Sequence, residues 1–95
     1  MMRTVWKYEM AGSYRDFEMP VGAEIIHVDQ QVKFVNAKES FLVPCMWAIV
    51  DPDAPREVRE FFLAGTGIEL PEHELKYLGT VKDGAFVWHV FEVLG

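Results

Sequence analysis

The fold of this protein is decided by residues 76–94, which read KYLGTVKDGAFVWHVFEVL. The dipeptide Asp83-Gly84 separates two runs that alternate with a period of two, and this arrangement is the strongest short-range signal for a β-hairpin. In the second run, Phe86, Trp88 and Val90 fall on one side of an extended chain. The other side carries Val87, His89, Phe91 and Val93. Because both sides are largely apolar, we predict that this second strand is central in a sheet.

The same period of two runs through the rest of the chain. In TVWKYEM, residues 4–10, the side chains of Trp6, Tyr8 and Met10 share one side, which is typical of a half-buried strand. We interpret residues 11–22 as a loop with a short strand at 17–19. Residues 23–29 and 32–37 are rich in β-branched side chains, and we predict a hairpin that turns at Gln30-Gln31.

The middle of the chain contains its longest apolar run, FLVPCMWAIV, at residues 41–50. Pro44 has no N–H to donate to a sheet, so we expect the strand to be an edge strand or to be bulged at this residue. Residues 58–64, VREFFLA, favour a further strand. Residues 65–75 form the longest irregular stretch, and we expect one helical turn around Pro71–Leu75. The prediction is one all-β domain over residues 1–95, a small antiparallel barrel or sandwich of six to seven strands.

Composition and charge narrow the classes of partner. Hydrophobic residues make up 51% and aromatic residues 14% of only 95 positions, which favours some apolar surface buried in a homo-oligomer. The net charge of -6 and nine scattered basic residues argue against direct binding of nucleic acid. Cys45 is the only cysteine, which excludes an internal disulfide and favours a cytoplasmic location. The sequence shows no apolar run long enough for a signal peptide or a membrane span.

The segment Ala64-Gly65-Thr66-Gly67 is the strongest candidate for a binding loop. Two glycines allow the backbone to approach a ligand closely, and Thr66 adds a hydroxyl group. A nucleotide-binding P-loop is excluded, because Ile68 stands where the lysine is required. The alternative is a simple turn that uses the backbone freedom of glycine, and the turn rules favour it.

Candidate partners for this loop are two arginines and four ring side chains. Arg56 and Arg59 precede the loop in sequence, and their guanidinium groups suit phosphate or carboxylate, although pairing with Glu57 or Glu60 is the simpler explanation. The rings that could stack on a flat ligand or contact it belong to Trp47, Tyr77, Trp88 and His89. Aromatic packing in a small β core is the commoner role for the first three, and a hydrogen-bonded core histidine is the commoner role for His89.

The sequence shows no signature of catalysis or of a metal site. His27, His73 and His89 lack metal-ligand spacing, and Cys45 has no neighbouring base in sequence that would make it a nucleophile. The pair Asp51 and Asp53 is more typical of a turn than of a cation site. We therefore expect no enzyme activity, no cofactor and no metal.

An ordered set of segments along the whole chain resembles a family of small uncharacterised phage and prophage proteins, a domain of unknown function. The segments are YEM, EMPVGAEIIHV, MWAIVDP, REFFLAGTG, YLGTV and VWHVFE, and residues 65–67 and 88–92 carry the resemblance best. The resemblance implies a phage or prophage origin, and hence the host cytoplasm as the location. It brings no activity that can be assigned to residues.

The function expected from these observations is non-enzymatic. Small accessory phage proteins are often counter-defence factors, and several are β-rich oligomers that sequester a nucleotide-like signal. We expect a homo-oligomer that binds a small phosphorylated ligand between Gly65–Gly67 and the arginine and aromatic candidates. One alternative is an acidic inhibitor of a host protein, in which Glu69, Glu72 and Glu74 would contact a basic site. A minor structural protein of the phage is a further alternative.

Overall fold

A computed structural model describes residues 2–95 and shows that they form β-strands and connecting turns, with no helix in that range. The strands are β1 (Thr4–Glu9), β2 (Tyr14–Pro20), β3 (Glu24–Phe34), β4 (Ser40–Val50), β5 (Arg56–Gly65), β6 (Leu75–Asp83) and β7 (Phe86–Val93). Sheet A has the order β1-β4-β3 and sheet B the order β2-β5-β7-β6, with every pairing antiparallel. The predicted all-β fold, an antiparallel barrel or sandwich of six to seven strands, is confirmed, with seven strands in two sheets that fit a sandwich.

The two sheets enclose the core between their inner faces. Sheet A contributes Met10 of the segment after β1, Val28 of β3 and alternate residues of β4, and sheet B contributes Phe61 and Val90. The partly buried rings of Trp6 and Tyr8 pack against this core, as the alternation of β1 predicts. At one edge, Gly79 of β6 lies so close to Val28 that a Cβ atom on the glycine would stand 2.1 Å from the valine Cγ2.

The hairpin predicted at Asp83-Gly84 joins β6 to β7, and β7 lies between β5 and β6 as expected. Asp83 pairs with Phe86, so the two turn residues are Gly84 and Ala85, and Gly84 has the positive φ, 58°, that the first residue of such a tight turn requires.

Three local predictions are wrong. β3 continues through Gln30-Gln31, and the chain turns instead near Asn36, whose Oδ1 accepts hydrogen bonds from the backbone N–H groups of Lys38 and Glu39 at 2.8 and 3.1 Å. The short strand predicted at residues 17–19 is present, but it is longer than expected, because much of the predicted loop 11–22 forms β2, an edge strand that pairs with β5 over its whole length. Residues 71–75 contain no helical turn.

Pro44 shows how a proline fits into a central strand. β4 lies between β1 and β3, yet β1 ends at Glu9, opposite Cys45. Beyond that point the Met10 N–H donates to the Pro44 carbonyl at 2.8 Å, so Pro44 directs its backbone polar groups towards the side where β1 has ended. The expected edge strand or bulge at Pro44 is therefore also wrong, because β4 is central and pairs with β3 without a register shift at this residue. The missing N–H faces the side where β1 has ended, so it costs no ladder hydrogen bond.

Candidate functional site

The turn at residues 65–68 is built as its sequence requires. The Ile68 N–H donates to the Gly65 carbonyl at 3.1 Å, and Gly67 has a φ of 88° at the third position, which fits a type II turn. The φ of Gly65 lies outside the left-handed region. The absence of a side chain at Gly65 leaves the edge of the Trp88 ring uncovered. A Cβ atom at this position would contact Cζ3 of Trp88 at 3.4 Å and Cγ1 of Ile68 at 3.5 Å.

A concavity that we call the Trp88 groove lies on the inner side of this turn. Its volume is about 660 Å³, and its walls include Ser13, Gly65, Ile68, Phe86 and Trp88. The rings of Phe86 and Trp88 are stacked with centroids 6.3 Å apart and an angle of 21° between their planes. All of the lining residues are uncharged. The groove therefore offers a flat apolar wall together with backbone and hydroxyl polar groups.

A second, smaller concavity lies on the outer side of the same turn, and we call it the His89 pocket. Its volume is about 200 Å³, and its walls include Thr66, Ile68, Leu70, His89 and Phe91. The Thr66 hydroxyl is 3.0 Å from His89 Nε2. The turn thus separates two concavities and contributes residues to both.

The structure brings six of the nine sequence-predicted site residues to this region. They are Gly65, Thr66, Gly67, Tyr77, Trp88 and His89. Trp88 belongs to the inner face of β7 and His89 to the outer face, so the two rings line different concavities. Tyr77 is joined to His89 through Thr80 rather than by direct contact.

The other three predicted residues lie elsewhere. Six residues of extended strand separate Arg59 from Gly65, a distance of about 20 Å along β5. Arg56, still further away, donates to the carbonyls of Pro52 and Ala54 at 3.1 and 2.9 Å. Trp47 lies on the outer face of sheet A, with its ring centroid 5.6 Å from that of His27.

Arg59 has a structural partner that sequence reasoning did not identify. Its guanidinium donates to both carboxylate oxygens of Glu92, at 2.6 and 2.7 Å, and to the Ala23 carbonyl at 2.6 Å. The hydrogen bond to Glu92 raises the pKa of Arg59. The side chains are only 15% and 8% exposed, so this is a largely buried bidentate ion pair, and each of the three guanidinium nitrogens of Arg59 donates a hydrogen bond.

Comparison with known proteins gives one match. A family model for a domain of unknown function, DUF7352, covers residues 1–94. The chain belongs to this family. Neither a curated protein nor a solved structure matches the DUF7352 domain described above. The chemistry of its site must therefore be argued from geometry.

The DUF7352 domain shows neither a cluster of metal ligands nor a membrane-spanning helix in the described residues. Within residues 2–95, no group of three His, Cys, Asp or Glu side chains converges as a metal site would require. In the same range, no helix has the length and apolarity needed to cross a membrane.

Sequence reasoning missed Thr80, which connects Tyr77 to His89. The spacing of three residues places Tyr77 and Thr80 on opposite sides of a regular strand. The pairing of β6 with β7 shifts register between Tyr77 and Gly79, so the extra residue Leu78 brings the two side chains to one face. A glycine within a strand often marks such an irregularity, so Gly79 was the feature of the sequence that could have indicated the register shift.

Proposed function

We propose that this DUF7352 domain is a non-enzymatic binding module that takes a small ligand with a planar group of about nucleobase size. The observation that supports it most is the Trp88 groove, an open cleft whose aromatic wall is left uncovered by the missing side chain of Gly65. Its volume falls in the range of about 300–1,000 Å³ that is typical of small-molecule sites, and such sites are mostly apolar with a few polar groups.

The geometry favours recognition of the planar part of a ligand over its charge. Arg56 and Arg59 are engaged far from the groove, and the groove has no charged lining residue. A phosphorylated ligand is still compatible with the site if its anionic group stays in solvent. Since no cationic side chain lines the groove, the expected phosphate clamp at residues 65–67 is not supported.

Calorimetric titration with nucleosides, cyclic dinucleotides and cyclic ADP-ribose products tests this function. A stacked base is worth about 1–3 kcal/mol, so Trp88→Ala should weaken binding by roughly 5- to 150-fold. Trp47→Phe is the matched control, because Trp47 lies on the outer face of the other sheet, and its affinity should equal that of the wild type. Absence of heat with every compound, or equal losses in the two variants, would contradict the proposal.

A second candidate function is association through the tip of the β3–β4 hairpin. The exposed apolar side chains there are Val32, Phe34, Val35 and Phe41, with Phe34 75% exposed. Because β1 pairs only with residues 45–50, residues 40–43 of β4 have no neighbouring strand on that side. We infer that this tip forms the contact of a homo-oligomer.

Light scattering coupled to size-exclusion chromatography tests the homo-oligomer. Phe34→Ser should lower the measured mass to that of a monomer, while Val58→Ser, a change at another exposed apolar side chain, should not. A monomeric wild type would contradict this inference.

The acidic-inhibitor alternative rests on Glu69, Glu72 and Glu74, which are exposed. Reversal of their charge should abolish inhibition of a basic partner and leave the fold intact.

The biological setting is also a proposal. The resemblance to phage and prophage proteins supports a phage origin and a role in sequestering a host signal from the cytoplasm. Sequencing of the genes that flank the coding sequence tests the origin. Growth of a signal-dependent defence strain during infection, with and without this protein, tests the sequestering role.

A further inference from the structure

Four side chains on the outer face of sheet B form a continuous chain of hydrogen bonds. The Tyr77 hydroxyl lies 2.5 Å from the Thr80 hydroxyl, and Thr80 Oγ1 lies 3.3 Å from His89 Nδ1. On the other side of the ring, His89 Nε2 lies 3.0 Å from Thr66 Oγ1. The chain therefore runs from the exposed end of Tyr77 to the turn between the two concavities.

The fold holds this chain in place from three strands and one turn. Thr80 is the direct cross-strand partner of His89, and Ala64 of β5 lies opposite His89 on the other side. Tyr77 reaches Thr80 because of the register shift at Leu78. Thr66 is presented by the type II turn, where it lines the Trp88 groove as well as the His89 pocket.

The chemistry of the groups limits the directions that the bonds can take. A neutral imidazole donates from one nitrogen and accepts at the other, and each hydroxyl has only one hydrogen to donate. If Tyr77 donates to Thr80, the Thr80 hydrogen remains for His89 Nδ1, which is the other hydrogen-bond partner of Thr80 Oγ1. His89 Nε2–H then donates to Thr66. In the opposite direction, Thr66 donates to His89 Nε2, His89 Nδ1–H donates to Thr80, and the Tyr77 oxygen accepts from Thr80.

The acidity of the phenol selects between these two directions. A phenol is a stronger hydrogen-bond donor than the alcohol of threonine, which favours donation from Tyr77 to Thr80 across their short contact. In that arrangement the Thr66 oxygen accepts from His89, and its own hydrogen has no partner within the chain. This hydrogen is then available to an acceptor atom on a ligand.

We propose that Tyr77, Thr80 and His89 position Thr66 as a hydrogen-bond donor at the rim of the Trp88 groove, so that the ligand presents an acceptor beside its planar group. The acceptor is a ring nitrogen or a ring carbonyl oxygen. This inference rests on the proposed function for its ligand, whereas the direction of the hydrogen-bond chain can be measured without one.

The first experiment measures the protonated nitrogen of His89 by long-range ¹H–¹⁵N correlation of the imidazole ring at neutral pH. The expected result is hydrogen on Nε2 in the wild type and a mixture of tautomers in Tyr77→Phe. Tyr14→Phe is the matched control, because Tyr14 packs on Phe62 of the same face without touching the chain, and it should leave the His89 signals unchanged. Hydrogen on Nδ1 in the wild type, or no response to Tyr77→Phe, would overturn the direction of the chain.

The second experiment compares two planar probes by chemical-shift titration. Quinoline has a ring nitrogen that only accepts, and indole has a ring N–H that only donates. One hydrogen bond predicts that quinoline binds about 2- to 10-fold more tightly, and Thr66→Val should remove that preference. Equal binding of the probes to the wild type would overturn the acceptor requirement.

The two experiments fail in distinguishable ways. If neither probe shifts any signal of the groove, the proposed ligand site is wrong and the acceptor inference falls with it. If the probes bind but the His89 tautomer does not respond to Tyr77→Phe, the groove is a site and Tyr77 does not position Thr66. The inference holds only if the tautomer changes and the preference for quinoline disappears in Thr66→Val.

Discussion

Substitution of Gly79 by alanine tests how closely the edges of the two sheets approach. The backbone of Gly79 lies outside the left-handed region, so alanine meets no conformational penalty there. The new Cβ would stand 2.1 Å from Cγ2 and 3.6 Å from Cβ of Val28. Carbon atoms prefer a separation of about 3.5–4.0 Å, so one of the groups must move by roughly 1.5 Å.

The expected cost follows from the stiffness of Val28. This side chain is 9% exposed and β-branched, and its rotamers are few. Overpacking of a core site costs about 1–3 kcal/mol, and removal of a glycine from a strand returns about 0.5–1 kcal/mol. We therefore expect Gly79→Ala to lower the free energy of unfolding by about 0.5–2 kcal/mol.

A double-mutant cycle isolates the steric contact. Val28→Ala alone should cost about 1.5–2.5 kcal/mol, because two buried methyl groups are lost. In that background the Cγ2 atom is absent, so Gly79→Ala should be neutral or stabilising. The coupling energy between the two sites should then be about 1–3 kcal/mol.

Urea unfolding followed by tryptophan fluorescence measures all four proteins of the cycle, with linear extrapolation to water. Gly65→Ala is the control, because its Cβ would make only ordinary contacts with Trp88 and Ile68, and it should be neutral or stabilising by up to about 1 kcal/mol. An equal cost of Gly79→Ala in the presence and absence of the Val28 side chain would refute the reasoning. A neutral effect in the wild type would refute the close approach itself.

Three further predictions concern charged and titratable groups. Arg59→Ala leaves the Glu92 carboxylate buried without its partner, so it should cost about 3–5 kcal/mol in urea unfolding, whereas Arg59→Met with Glu92→Leu should cost much less. The hydrogen bond from Lys33 lowers the pKa of Glu9, so the ionised carboxylate stabilises the fold above the unfolded value of 4.5, and this stabilisation is lost as pH falls through the lower folded pKa. The urea midpoints of the wild type and Glu9→Gln should therefore differ at pH 7 and coincide at low pH. A difference that stays constant with pH would contradict this prediction. Burial raises the pKa of the Cys45 thiol, so an aromatic disulfide reagent at pH 8 should label it slowly in the folded protein and rapidly in urea, and fast labelling of the folded protein would contradict its burial.

The sequence predicted best where a local signal and a period of two agree. The Asp83-Gly84 hairpin and the central position of β7 are confirmed because a turn that needs a positive φ stands between two alternating runs. The turn at Gln30-Gln31 was wrong because glutamine supplies no turn chemistry. The Asn36 side chain does supply it, and β3 is about twice the usual strand length.

Only part of the candidate site could be predicted, because residues that are close in sequence are not always close in space. Arg59 lies six residues from Gly65, which is one or two turns in a helix but most of a strand here. The burial of Arg59 against Glu92 depends on the pairing of β5 with β7, which no local pattern encodes. The role of Thr80 likewise depends on the register shift at Leu78.

The order of strands has a consequence for the synthesis of this chain on the ribosome. β1 pairs only with residues 45–50 of β4, about 40 residues later, so at about 5–20 residues per second it waits about 2–8 seconds for its partner. In sheet B, β6 pairs with β7, and β7 lies between β6 and β5. Until β7 emerges, β2 and β5 are therefore the only strands of this sheet that can pair. The apolar faces of β1 to β5 therefore leave the exit tunnel before their core can close. We expect a chaperone that binds extended apolar segments to hold the nascent chain until residue 93 has emerged.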